Sequence, residues 1–495
     1  MKRIALRFRV ANSMCWLRGV KAILSVLLTA GLALDTSTTA SATTRPRYGS
    51  TLRIEIRARV DALDPREIPD NSVAAASTEK LISLVFEKLV RLDITGRPQP
   101  QLAHSWQADA GKRRWEFRLR PNEKFHDGTP LAPASVVAAL QHQLGNEFLM
   151  SVSGDMLVME SKQPIPDLLE RLASSRSYIF KILRDGTLAG TGPFRVVGWQ
   201  PRQRAVFAAN DGHWGGRPFL DKIEVQMGVN LAEQIVDFEL GKADLIELAP
   251  DQLRRATQDG ARIWISSPVE LLAIVTPGEV QPALDARILQ ALAHAVDRAA
   301  IQSVLLQKQG EVAGGLLPQW VSGYAFLFVA AADVDRARKL IAEISPAPVP
   351  LVLEYDAADS IARTVAERVA LDASQVGLKL QVAAAVPGSP AGGRLRLVRA
   401  RLGSLRPRDL LADLAEAFSL GNGREGQEAV TPEEQYAAEK KMLDSYRVVP
   451  LVHVPEICGL SPLLRNWMPT RWGEWRLEDA WLALPEQPSA AGGKP

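Results

Sequence analysis

Six histidines are spread through the 495 residues, at His104, His126, His142, His213, His294 and His453. None stands in a His-x-x-x-His pair or beside a cysteine, so no local ligand set for metal-assisted chemistry can be read. Gly190-Thr191-Gly192 is half of a dinucleotide fingerprint, but Pro193 and an alternating strand follow where a phosphate needs a helix N-terminus. Gly-x-Ser-x-Gly does not occur, which leaves no nucleophile elbow. Asp333 and Asp335 read as helix caps rather than as an acid–base pair. The residues with the clearest chemical potential are the arginines at 394, 396, 399, 401, 406 and 408, interleaved with Leu395, Leu397 and Leu402. Part of this run reads as a strand with one charged face. Guanidinium forks grip carboxylates or phosphates, which makes Arg399, Arg401 and Arg406 candidate ligand contacts. The other reading of the run is a solvated surface, or a contact with the protein's own acids.

The elements that must hold such groups alternate between two periods. Trp115, Phe117 and Leu119 alternate with Glu116, Arg118 and Arg120, a strand with one buried face. His126-Asp127-Gly128 is a tight turn, and Pro133 suits the first turn of the helix after it. Period two also predicts strands at 51–56, 195–199, 205–209 and 223–227, apolar runs predict strands at 271–275 and 448–454, and further strands are read at 157–160, 244–248, 351–355 and 378–382. Helical spacing predicts helices over 81–92, 168–172, 232–240, 286–307 (capped by Asp285), about 361–377 and 434–446. Ser345 to Pro350 alternates with proline and reads as a stiff connector, and Pro387 to Gly393 as a flexible loop. Mixed elements in this order imply an α/β fold with covered sheets.

The N-terminus reads as a secretory leader over residues 1–42. Lys2, Arg3, Arg7, Arg9, Arg18 and Lys21 precede an apolar run from Ala22 to Leu34, and Ala40-Ser41-Ala42 supplies small residues for cleavage. That run is about a dozen residues long, short for a span of roughly 20. The leader holds six basic residues and one acid, so the chain's formal +3 becomes about −2 once it is removed. No nucleic-acid surface follows from the charge. Cys15 lies before the apolar run and leaves with the leader, so Cys458 has no disulfide partner. The remaining ~450 residues imply two or three domains, and the tail from Pro485 reads as disordered.

Several ordered segments resemble the family 5 extracellular solute-binding proteins of ABC transporters, the dipeptide and oligopeptide binders. They are Gly49-Ser50-Thr51-Leu52-Arg53, Phe86-Glu87-Lys88-Leu89-Val90, Phe125-His126-Asp127-Gly128, Gly190-Thr191-Gly192-Pro193-Phe194, Ala295-Val296-Asp297-Arg298 and Val449-Pro450-Leu451. The resemblance implies a bilobal periplasmic binding protein fold, with a cleft between two lobes and an extra small domain on the first. By segment, lobe one takes 48–70, 186–268 and 448–484, the extra domain 71–185, and lobe two 269–447. It further implies a periplasmic receptor, not an enzyme, that needs no cofactor or metal. It would act as a monomer, bind no nucleic acid, and deliver a peptide or other small molecule to membrane permease subunits. Aromatic residues usually line such clefts, which adds Trp320, Tyr324 and Tyr355 to the candidate contacts. Trp467, Trp472, Trp475 and Trp481 are expected to pin the C-terminus to lobe one. One departure stands out. The family's peptide binders set an aspartate beside aromatic residues in the second lobe to meet the ligand amine. Here Arg394–Phe418 has no tryptophan or tyrosine, and its Asp409 and Asp413 sit among leucines. The same fold binding a non-peptide ligand (anionic, sugar or metal chelate) is therefore the alternative.

Overall fold

The computed structural model describes residues 45–68, 73–145, 147–174, 177–276, 284–324, 326–345, 350–357, 359–386, 394–420, 426, 428–467, 469–470 and 472–484. The expected leader, C-terminal tail, loop 387–393 and most of connector 345–350 lie outside them.

Eleven strands form the main sheet: β1 (Thr51–Ile56), β2 (Phe194–Gln200), β3 (Arg204–Ala209), β4 (Lys222–Met227), β5 (Leu245–Glu247), β6 (Arg262–Val275), β7 (Glu311–Val312), β8 (Leu351–Tyr355), β9 (Leu380–Ala384), β10 (Leu395–Arg401) and β11 (Val448–Leu460). Their spatial order is β2-β3-β4-β1-β5-β11-β6-β10-β8-β9, with β7 beside β11. β6 and β11 are far longer than expected, because each serves two cores in succession. At one end, Cys458 and Leu460 pack with Leu52, Ile54, Phe194, Phe207 and Val225. At the other, the run Leu271-Leu272-Ala273-Ile274-Val275 is buried on both faces of the sheet. Leu272 and Ile274 enter one core with Leu397 and Leu451, while Leu271, Ala273 and Val275 enter another with Ala400 and Leu414. Successive side chains point to opposite faces of a strand, so a continuous apolar run is what a doubly covered strand requires.

Between these two ends the ladder breaks. Pro268 of β6 stands opposite Pro455 of β11, with register shifts on both sides. Neither residue has an N–H to give, so the backbone bonding that would stiffen the strands is missing at their crossing. A two-strand crossing of this kind is a natural hinge between lobes.

A separate four-stranded antiparallel sheet covers Ala103–Ala108, Arg114–Leu119, Met156–Glu160 and Leu149–Ser153, in that order. With helix Pro133–Leu144 it encloses its own core around Phe117, Leu140 and Leu157.

Two expected helices are corrected. The helix read over 81–92 is Val73–Val85, and Glu87–Lys88 and Val90–Leu92 are strands paired with Tyr178–Ile179 and Pro98–Pro100. Gly190 and Gly192 explain the stop. A Cβ on either would lie 2.0 or 2.7 Å from backbone oxygens of Leu84 and Val85, so the helix end is pressed against that loop. Gly192 N–H donates to Val85 O and Thr191 Oγ1 to Glu87 Oε2. The glycine motif is a packing device. The helix read over 286–307 breaks at Val296, whose ψ of 122° is extended. Asp297 caps the next turn, and the wholly buried Arg298 donates to Ala293 O, Val296 O and Pro450 O. The guanidinium thus satisfies carbonyls that the break sets free. Burial pulls it down to about 10.

Candidate functional site

A cavity of about 330 Å³ lies beside the crossing strands. Helix Val73–Val85 contributes Ala76, Glu79 and Lys80, a stripe at three- and four-residue spacing. Its opposite side, with Leu81, Leu84 and Val85, is buried in the first core. From the second lobe come Trp320, on the short helix Gln319–Ser322, Arg401 at the end of β10, and Arg406. Trp472 and Glu474 approach from the C-terminal segment, and Glu170 and Ser174 from the smaller sheet's domain. The wall is therefore assembled from every part of the fold that meets at the crossing.

Its electrostatics turn on Glu456 of β11. One oxygen, Oε1, lies 2.8 Å from both Lys80 Nζ and Arg401 Nη1. Burial favours the neutral acid, yet Arg401 and Lys80 outweigh it and hold the Glu456 carboxyl below its ordinary range. Lys80 responds in kind, since burial disfavours its charge but Glu456 more than offsets that. Arg401 also donates to Trp472 O at 2.6 Å, and the Trp320 indole N–H donates to Pro268 O at 2.9 Å. A smaller hollow of about 50 Å³ continues along β11, lined by Arg57, Glu247, Glu270 and Arg399.

The six candidate contacts separate clearly. Trp320, Arg401 and Arg406 line the larger cavity, and Arg399 lines the smaller hollow. Tyr324 and Tyr355 line neither. The Tyr324 hydroxyl donates to Glu439 at 2.5 Å, and Tyr355 ends β8 against the second-lobe core. The arginine run is engaged throughout with the protein's own acids. Arg394 and Arg396 meet Glu354, Arg399 meets Glu270 and Asp359, and Arg406 and Arg408 share Asp167. Of the four C-terminal tryptophans, Trp467 and Trp475 do pack in the first core, and Trp481 is buried, but Trp472 faces the cavity. Sequence reading missed Glu79, Lys80, Lys88 and Glu456. The signal for the first two was two adjacent charges just ahead of an apolar helical stripe.

Three of the histidines hold the structure together. His126 bonds Gly192 O, His213 meets Glu87, and His453 meets Leu316 O. Among the described residues no group of three His, Cys, Asp or Glu could hold a metal ion, and no helix is long and apolar enough to cross a membrane. Cys458 is buried, which pushes its thiol up to about 12.

A cavity between two lobes joined by crossing strands defines a ligand-capturing protein. Comparison with known proteins names the family. The description "Bacterial extracellular solute-binding proteins, family 5 Middle" matches residues 97–394, and the chain belongs to that family of binders. It is 26% identical over 339 residues to the nickel-binding periplasmic protein of Escherichia coli K12, covering 60% of this chain and 64% of that one. The match thus spans a little under two thirds of that relative. Among solved structures, the dipeptide-binding protein of Pseudoalteromonas sp. SM9913 with Met-Leu superposes with a TM-score of 0.75 at 16% identity, over 88% of this chain and 100% of that one. MoaA of A. tumefaciens R10 with mannopinic acid gives 0.75 at 20%, over 88% and 99%. At such identities the likeness carries the fold, which is the bilobal binding-protein fold expected from the sequence.

Proposed function

We propose that this chain is the periplasmic receptor of an ABC importer, and that it captures a peptide-like small ligand in the interlobe cleft for delivery to membrane permease subunits. The observation that carries the reading is the 330 Å³ cavity whose wall draws on both sides of the Pro268–Pro455 crossing. Closure about such a hinge would bury a ligand on all sides, without covalent chemistry or a resident cofactor. The family's extracytoplasmic station supports export by a leader over 1–42. The expected division puts lobe one at 48–70, 186–268 and 448–484, an extra domain at 71–185 and lobe two at 269–447; the cores favour moving 81–86, Tyr178 and Phe180 to lobe one and 448–454 to lobe two. We further propose that it acts as a monomer and binds no nucleic acid. Relatives named for nickel and a structure holding mannopinic acid describe those proteins, and they show how widely the fold's ligands range. The non-peptide alternative rests on the missing aspartate–aromatic anchor and on the arginine run, and those guanidinium groups already have protein carboxylates.

A thermal-shift screen against dipeptides, oligopeptides, sugars and organic anions tests the reading. A ligand at 100 times its Kd adds about 2.7 kcal/mol of stability. Peptides are expected to raise Tm. Shifts with anions alone would contradict the peptide assignment.

A further inference from the structure

The charged groups around the cavity are not all paired. Each cation in the wall is already engaged. Lys80 and Arg401 share Glu456, and Arg406 meets Asp167 and Asp409. Lys88 donates to Ala173 O at 2.9 Å, stands 3.8 Å from Glu474 and lies over the Tyr178 ring. Two acids in the same wall are not engaged in this way. Glu79 makes no hydrogen bond or ion pair among the described residues, and Glu170 Oε2 is buried with no hydrogen-bond partner. The helix that carries Glu79 is packed into the first core on its other side, so the carboxylate is held at the wall by a rigid element.

We propose that Glu79, assisted by Glu170, is the anchor for the ligand's ammonium group. A primary ammonium brings three N–H donors and a positive charge, which is the complement that two unpartnered carboxylates lack. The inference rests on the peptide reading and deepens it. It also moves the amine site: the second-lobe stretch 394–418 offers no aspartate beside an aromatic residue, and the first-lobe helix supplies a glutamate instead. Burial lifts the Glu79 carboxyl above its ordinary range. Lys88, and more weakly Arg401 and Lys80, pull the other way, and Glu474 adds to the lift. An arriving cation relieves that cost, so the site favours positive charge.

The test uses an equimolar dipeptide mixture, free and after complete N-acetylation, against the protein without residues 1–42 and its Glu79→Gln variant. The free mixture is expected to raise Tm of the wild type and the acetylated one to leave it unchanged. Glu79→Gln should lose roughly thirtyfold or more in apparent affinity, the usual effect of removing one partner of a buried charge pair. Its ligand-free Tm should be equal to or above that of the wild type, because a desolvated, unpaired acid is gone. Equal shifts with acetylated peptides, or full affinity in the variant, would overturn the anchor and leave the peptide receptor standing. The acetylation arm needs no variant to fold. A flat response to both mixtures would overturn the peptide reading itself.

Discussion

Two glutamates, Glu439 in the second lobe and Glu79 at the cleft, are both desolvated, and burial raises the carboxyl of each. Their surroundings differ completely. Glu439 accepts from Tyr324 Oη–H at 2.5 Å and from the backbone N–H groups of Leu316 and Leu317 at 2.5 and 3.1 Å. Gly315 fits beneath it, since a Cβ there would stand 2.5 Å from the carboxylate. Glu79 has a cavity where Glu439 has three donors. A buried acid whose partners come from its own chain is a strut, whereas one left facing a cavity awaits a partner from outside.

The sharpest way to probe this difference is to remove a shared partner. Glu456→Ala leaves Lys80 and Arg401 buried side by side without their shared carboxylate, and should cost about 3–5 kcal/mol in denaturant unfolding. The Glu456 contribution is present above its unfolded pKa near 4.5 and is lost as pH falls through the lower folded value. A variant as stable as the wild type would mean that the paired cluster is not structural.

His453 gives a comparable effect at low pH. Only 1% exposed, it bonds Leu316 O, with Glu311 3.9 Å from Nδ1, and burial pulls it down to about 4 from 6.5. Between those values the unfolded chain takes up the proton and the folded one does not. Stability therefore falls with pH from about 6.5 to about 4, by roughly 3 kcal/mol. His453→Gln should flatten that part of the pH–stability curve. An unchanged slope would count against a neutral buried imidazole.

Glu439→Ala strands two amides and a hydroxyl, and should cost about 2–3 kcal/mol without touching ligand affinity. The smallest effect is expected at Asp167, on the smaller sheet's domain, which binds Arg406 and Arg408 of the second lobe at 2.5 and 2.7 Å. Ion pairs that solvent still reaches contribute little, so Asp167→Asn should weaken ligand binding by roughly two- to fivefold, with a larger radius of gyration in solution scattering. An unchanged radius would show that the pair does not help to hold the lobes closed.

Much of the fold was legible. The strand at 114–119, the turn at Asp127-Gly128, the proline-started helix at 133 and the Asp285 cap follow from local rules. What failed was non-local. The helix end at Val85 is set by glycines more than 100 residues further on, and the length of β6 and β11 by two cores that each must visit. The arginine run was visible as a charged face. Its partners were not, because Arg394 finds Glu354 at a separation of 40 residues and Arg408 finds Asp167 at 241. Glu79 was overlooked for the converse reason: no hydrogen bond or ion pair in the described chain reaches it, and only a cavity shows why.

The most direct test measures Tm for Glu79→Gln and Glu439→Ala side by side, with and without the free dipeptide mixture. Glu439→Ala is expected to melt lower and keep the full ligand-induced shift, while Glu79→Gln melts no lower than the wild type and loses the shift. The reverse pattern, with Glu79→Gln unstable yet responsive, would contradict the assignment of one glutamate to the fold and the other to the ligand.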